Sequence, residues 1–187
     1  MTGVQTCALP ILNGHTLRGF NIDMGNPHAV VFDEADQLKF TPEQIKRICD
    51  RKTGIGSDGF IKIVKKDGQW FMDHLNADGS VAEMCGNGIR VMARYLTQNN
   101  HQGSGIYAIN TRDGRKFLSV PDDGDIAVNM GQVSQIPGKI KVSVNGHTFR
   151  GFNIDMGNPH AVVFVEDMSL NGTYENASIV DQSPRLS

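Results

Sequence analysis

At 187 residues the chain has room for one domain or one and a half. Its 18 basic and 20 acidic residues leave a formal charge of −2, and 39% of residues are hydrophobic, the balance of an ordinary globular protein. No Lys/Arg run or stripe marks a nucleic-acid or anionic-membrane surface, and no segment approaches the roughly 20 apolar residues that span a bilayer.

Read from the start, Met1 to Ile11 looks foreign to the rest. It resembles the translation of a sequencing-library adapter, so residues 1–12 are set aside as a non-native segment. Its short apolar run lacks a basic flank and makes a poor signal peptide. Residues 13–32 then recur as residues 145–164, with Leu17 against Phe149 the single difference. Two copies of a 20-residue block are not a solenoid, which would continue through the chain. Within the first copy Phe20, Ile22 and Met24 alternate as a strand does.

From Asp33 the text is coherent. Thr41-Pro42-Glu43-Gln44 has the form of a capping box with proline at the first helical position, and Ile45 and Ile48 carry a helix to about Arg51. Gly54 to Gly59 is a loop. Its Gly54-Ile55-Gly56 lacks the Gly-Lys-Ser/Thr ending of a phosphate loop. Phe60–Lys65 and Trp70–Leu75 read as strands around a Lys66-Asp67-Gly68 turn. Ile89, Met92, Ala93 and Leu96 recur at helical spacing, which predicts a helix after Cys85 that runs to about Gln98. Further strands are expected near Ile106–Thr111, Phe117–Val120, Ile126–Met130, Ile140–Val144, Thr148–Ile154 and Ala161–Val165. The fold class is therefore α+β with long antiparallel character. A domain boundary is placed near 113–124, giving units 33–115 and 116–187. Residues 169–187 form a polar tail.

The stretch richest in chemistry is Asn76 to Gly88. It puts Cys85 directly before Gly86-Asn87-Gly88 at the start of a helix. A thiol there faces unpaired backbone N–H groups and the positive end of the helix dipole, both of which favour the thiolate. The same N–H groups can hold a substrate carboxylate. Base and anion cradle thus fall within four residues. The simpler reading is a small residue buried at a helix start, with Gly86 and Asn87 as turn formers. Cys7, Cys49 and Cys85 are odd in number and lack metal-type spacing, so no metal is expected and the setting is read as reducing and cytoplasmic. Cys49, inside a helix beside Ile48, reads as a buried structural thiol. Glu83 reads as a solvated carboxylate.

Asn76 to Ser80, Met84 to Gly88 and Ala93 to Leu96, with Thr53 to Gly59 upstream and Met156 to Val163 downstream, resemble diaminopimelate epimerases in content and order. The resemblance covers about residues 33–165 and is strongest at 53–96. It implies the pseudo-symmetric fold of that family, with the N-terminal α/β half nearly complete and the second half truncated. It implies cofactor-independent (PLP-independent) inversion of an α-carbon by two cysteines, converting LL- to meso-2,6-diaminoheptanedioate for lysine and peptidoglycan precursor synthesis. Cys85 matches the first thiol. The second belongs in an Ala-Cys-Gly-Thr-Gly-like turn after a Glu-Arg pair, and neither element occurs in this sequence, so this chain is expected to be inactive or severely impaired. Asn76, Gly86, Asn87 and Asn158 match substrate-binding positions, and His160 a position near the second thiol. The family opens with a Gly-Asn-Asp-Phe motif where this chain carries Gly25-Asn26-Pro27-His28. That puts Asn26 where a substrate asparagine belongs, with residues 13–32 replacing the native first strand. His28 has no family counterpart and is expected to be structural or exposed. The implied partners are a small diamino diacid and, by resemblance, a second copy in a homodimer, with no nucleic acid and no membrane. Two alternatives stand: a catalytically inactive fragment or binding module, and a related cofactor-independent racemase or isomerase of the same fold.

Overall fold

The computed structural model describes residues 2–8, 18–24, 26–144, 147–155 and 159–167. They divide into two compact units, Met1–Met130 and Gly131–Ser187.

The first unit is built on one eight-stranded sheet whose strands lie in chain order. Its strands are β1 (Thr2–Ala8), β2 (Arg18–Asp23), β3 (Pro27–Phe32), β4 (Gly59–Lys66), β5 (Gln69–Asn76), β6 (Gly105–Thr111), β7 (Gly114–Val120) and β8 (Ala127–Asn129). Neighbours are antiparallel except β3–β4 and β5–β6, which are parallel. A parallel pair needs a crossover, and each of these two carries a helix: α1 (Pro42–Cys49) joins β3 to β4 and α2 (Gly86–Gln98) joins β5 to β6. The two crossovers start from strands of opposite direction. Two connections of the same right hand then put their helices on opposite faces of the sheet.

Two cores result. Under α2, Val30, Ile61, Ile63, Trp70 and Met72 pack with Ile89, Val91, Met92 and Leu96. Under α1, Ala29, Val31 and Phe60 pack with Ile45, Ile48 and Cys49. Successive residues of β3 and β4 feed alternate cores, as the period of two requires. Each fully buried Ile, Leu or Met contributes about 1.5–3 kcal/mol by leaving water. On the α1 face Lys62 is buried, and its Nζ donates to Asp36 at 2.5 Å and to the Leu38 carbonyl at 2.9 Å.

Local chemistry sets the helix ends. Thr41 Oγ1 accepts from Gln44 N, and Gln44 Oε1 accepts from Thr41 N at 2.8 Å, completing the capping box. Helix α1 stops at Cys49, short of Arg51, because the Asp50 carboxylate takes the N–H groups of Lys52 and Thr53 at 2.9 and 2.7 Å. The chain then folds tightly back. A Cβ on Gly54 would stand 2.2 Å from the Arg47 carbonyl oxygen and 2.4 Å from that of Ile48. Arg94 of α2 pins the loop after β7, donating to the carbonyls of Pro121, Asp122 and Gly124.

Two features differ from the sequence reading. The segment set aside at the start supplies β1, which pairs antiparallel with β2 through Cys7↔Gly19 and Thr6↔Phe20. Its Thr-Gly-Val-Gln-Thr run suits an extended strand, and the edge of β2 offers it unpaired N–H and C=O groups. The units divide after Met130 rather than at 115/116. A cut at 115 would split the β6–β7 hairpin, which is paired from Gly105↔Val120 to Thr111↔Gly114.

The second unit is a three-stranded antiparallel sheet of β9 (Ser134–Val144), β10 (His147–Asp155) and β11 (Pro159–Val163), in the order β11-β10-β9. Here the sequence repeat becomes structural. In the first copy β2–β3 pairs Phe20↔Val30 and Ile22↔His28. In the second, β10–β11 pairs Phe152↔Val162 and Ile154↔His160, the same register. Burial differs sharply. His28 and Ala29 are 0% exposed, whereas His160 and Ala161 lie exposed. No helix among the described residues is long and apolar enough to cross a membrane.

Candidate active site

Three strands and one helix end build the site. Across the sheet His28, Gly59 and Asn76 stand in one row, His28↔Gly59 on the parallel pair and Gly59↔Asn76 on the antiparallel one. His28 shares its strand face with Val30. His74, on β5, shares its own with Trp70 and Met72. Both imidazoles therefore point to the core under α2. They are 0% and 6% exposed, with ring centroids 5.7 Å apart. Gly59 makes this approach possible. A Cβ there would fall 2.7 Å from His74 Nε2 and 3.4 Å from His28 Cδ2.

Cys85 caps α2 from an extended backbone, and its Sγ accepts from Gly88 N–H at 3.3 Å. Gly88 must be small. Its Cβ would meet Ile61 Cδ1 at 2.9 Å and Cys85 Cβ at 3.3 Å. The thiol faces His28, with Sγ 3.6 Å from Nε2. The other ring nitrogen, Nδ1, lies 3.0 Å from the Asn26 carbonyl oxygen. A carbonyl only accepts, so Nδ1 carries the hydrogen and Nε2 turns its lone pair to the thiol. Burial lowers the His28 pKa, against the opposing pull of the Asn26 carbonyl and of Asp58 and Asp23. Burial likewise drives His74 down to about 4, helped by the neighbouring His28 and Arg112 and opposed by Asp73. Both rings are neutral at pH 7.

Around the thiol, Asn87 Nδ2 donates to Asn26 Oδ1 at 2.6 Å, and Arg90 Nη2 donates to Asn87 Oδ1. Asn26 and Asn87, 61 residues apart in sequence, thus meet at the helix start, where amide groups and a guanidinium surround a place suited to a carboxylate. Gly86 presents backbone there, and an added Cβ would touch nothing closer than the Met130 side chain at 3.7 Å.

The other sequence-selected residues fall elsewhere or differ. Asn76 is exposed and ties up its own turn, donating from Nδ2 to Ser80 Oγ at 2.9 Å. His160 lies exposed on β11 in the second unit. Asn158 is outside the described residues. Cys49 sits in the α1 core, where burial pushes its thiol up, partly offset by Ser57. His28 is not exposed as the sequence allowed; it is fully buried against Cys85. His74 and Arg90 were missed. Arg90 lies three residues after Asn87 on a helix, a neighbour spacing that could have flagged it. Nothing local marks His74, whose place depends on strand pairing. A hollow of about 230 Å³ lined by Phe20, Tyr95 and Gln98 lies at the other end of α2 and holds no acid–base pair.

A thiol at a helix start, backed by a neutral imidazole and ringed by amides, has the layout of a proton-transfer site. The diaminopimelate epimerase family profile matches residues 20–136, well over half of the chain. The chain belongs to the diaminopimelate epimerase family. The diaminopimelate epimerase of Streptomyces coelicolor is 40% identical over 158 residues, which cover 79% of this chain and 55% of that protein. That of Corynebacterium glutamicum strain R is 34% identical over 174 residues, 86% of this chain and 60% of that protein. The chain thus spans a little over half the length of these relatives. A hydroxyproline epimerase from Agrobacterium vitis, solved with trans-4-hydroxy-L-proline bound, superposes with a TM-score of 0.58 at 11% identity. It covers 80% of this chain and 50% of that one, a likeness of fold alone. The family match starts inside the first copy of the repeat, so the segment carrying Asn26 and His28 lies within the diaminopimelate epimerase match.

Proposed function

We propose that Cys85 is one of two acid/base thiols of a PLP-independent diaminopimelate epimerase that interconverts LL- and meso-2,6-diaminoheptanedioate. The observation that carries this reading is Cys85 at the α2 N-terminus, with His28 Nε2 at 3.6 Å and the Asn26–Asn87 pair beside it. In the reaction the thiolate takes the α-proton and an S–H bond forms. The C–H electron pair stays on the α-carbon and spreads into the adjacent carboxylate. The N–H groups of α2, with Asn26, Asn87 and Arg90, hold that carboxylate and stabilise the charge. His28 accepts from the thiol at Nε2 and fixes its direction. Asn76 and Asn158 belong to the substrate side of the same reading, and His160 to the second thiol's surroundings.

Inversion needs a second thiol on the opposite face of the α-carbon. The other cysteines of residues 1–187 are Cys7, within strand β1, and Cys49, sealed in the α1 core, and neither stands at a helix start as Cys85 does. These residues therefore supply one thiol, and the 187-residue polypeptide exchanges the α-proton without inverting the centre. The test is incubation with LL-diaminopimelate in heavy water, read by proton NMR and chiral chromatography. Deuterium at the α-carbon without meso product, lost in Cys85→Ala, supports the reading. Meso product that survives Cys49→Ala refutes the one-thiol assignment, and exchange that survives Cys85→Ala refutes the role of Cys85.

A further inference from the structure

Proton transfer leaves His74 without a task, although it is buried beside the other two groups. One ring nitrogen of His28, one of His74 and Cys85 Sγ all lie within 4.8 Å of one another. We propose that His28, His74 and Cys85 form a binding site for a divalent transition metal of the zinc type, with the fourth tetrahedral position left to water or a small exogenous ligand.

Geometry supports this first. Zinc holds thiolate sulfur at about 2.3 Å and imidazole nitrogen at about 2.0–2.1 Å, so the S···N edge of a zinc tetrahedron is about 3.6 Å. The Cys85 Sγ to His28 Nε2 separation is 3.6 Å. The remaining edges are no longer than 4.8 Å, and χ rotations in these side chains bring them toward about 3.3–3.6 Å, the edges of a zinc tetrahedron. The setting of His28 is that of a metal-ligating histidine. Its Nδ1 is held by the Asn26 carbonyl at 3.0 Å, which orients the ring and leaves Nε2 as the donor atom.

His74 supplies an independent observation. It is 6% exposed, and its Nδ1 is buried without a hydrogen-bond partner among the described residues. A buried ring nitrogen without a partner is costly, and a turn of the ring that offers it to a metal or to a hydrogen-bond partner relieves that cost. Gly59 keeps the space between the rings free of a Cβ. The donors stand on β3, β5 and the cap of α2, all rigid elements. Two imidazoles and a thiolate favour zinc, cobalt or copper over the oxygen-seeking magnesium and calcium. The nearby Asp73 is already paired with Arg112 and Lys62. The site does not depend on the epimerase reading and competes with it, because a metal on Cys85 occupies the thiol that would take the α-proton.

Cobalt(II) is the probe. Tag-free, reduced full-length chain is titrated with cobalt chloride and followed by absorption. Expected are one equivalent bound, a thiolate-to-cobalt charge-transfer band in the near ultraviolet, and visible bands of tetrahedral intensity, all displaced by zinc. Cys85→Ser abolishes the charge-transfer band, whereas Cys49→Ser and Cys7→Ser retain it. His28→Gln and His74→Gln each weaken binding at least about tenfold. Circular dichroism and Trp70 fluorescence verify the fold of each variant. Should a histidine variant fail to fold, Cys85→Ser, at a half-buried position, decides. No tetrahedral cobalt spectrum from the parent chain, or a charge-transfer band that survives Cys85→Ser, overturns the proposal. Neither readout involves epimerase activity, so the two readings fail separately.

Discussion

Lowering the pH from 7 to 5 should destabilise the first unit through His74. Its pKa falls from 6.5 to about 4 on folding, mainly by burial. The native state therefore binds fewer protons than the unfolded state between these values. Stability is full above pH 6.5 and is lost as pH falls towards 4. A displacement of about 2.5 in pKa corresponds to about 3 kcal/mol in total, of which about 2 kcal/mol disappears between pH 7 and pH 5. His28, also lowered by burial, adds to the loss in the same direction. The chain has one tryptophan, Trp70, and it lies on the same strand face as His74, 6% exposed. Its fluorescence reports unfolding of this core. Urea titrations at the two pH values should show the midpoint about 1 M lower at pH 5. In His74→Gln that drop should shrink by at least half. Equal midpoints at the two pH values, or a His74→Gln variant with the full drop, would refute the linkage.

Two further substitutions probe the scaffold. Gly54→Ala drives a Cβ to 2.2 Å from one backbone oxygen and 2.4 Å from another, where no flexible side chain can yield. A loss of about 2 kcal/mol or more is expected in urea unfolding, and a change within about 0.5 kcal/mol would contradict the close approach. Arg94→Lys replaces a planar fork that serves three carbonyls with one ammonium. It should cost about 1–3 kcal/mol and open the 121–124 loop to limited proteolysis; unchanged cleavage there would show that the loop is held by something else.

Much of the fold is legible in the sequence because its signals are local. The Thr41–Gln44 capping box, the helix from Cys85 and the Lys66-Asp67-Gly68 hairpin depend on residues within a few positions of one another. The register of the parallel β3–β4 pair is not local, and it is that register which brings His28 to Gly59 and so to His74 on the next, antiparallel strand. For the same reason Asn26, unlike Asn87 beside Cys85, is placed near a site only through family resemblance, and the role of His28 is hidden from a local reading. Its neighbours in sequence are those of His160, so no local reading could separate a buried histidine from an exposed one. The sequence points to a unit boundary near 113–124 because Asp113-Gly114 reads as a break between elements, whereas it is the turn of a hairpin within the sheet and the units divide at 130/131.

The repeated hairpin has a use that reaches beyond this site. Because residues 18–32 and 150–164 share sequence and their paired strands share register, one substitution made in either copy meets the same cross-strand partner. Val30 is sealed beneath α2, while its counterpart Val162 is only partly covered. Any difference between the two outcomes is then the share contributed by tertiary surroundings, with intrinsic strand propensity cancelled inside a single molecule. The chain carries its own reference state for that comparison.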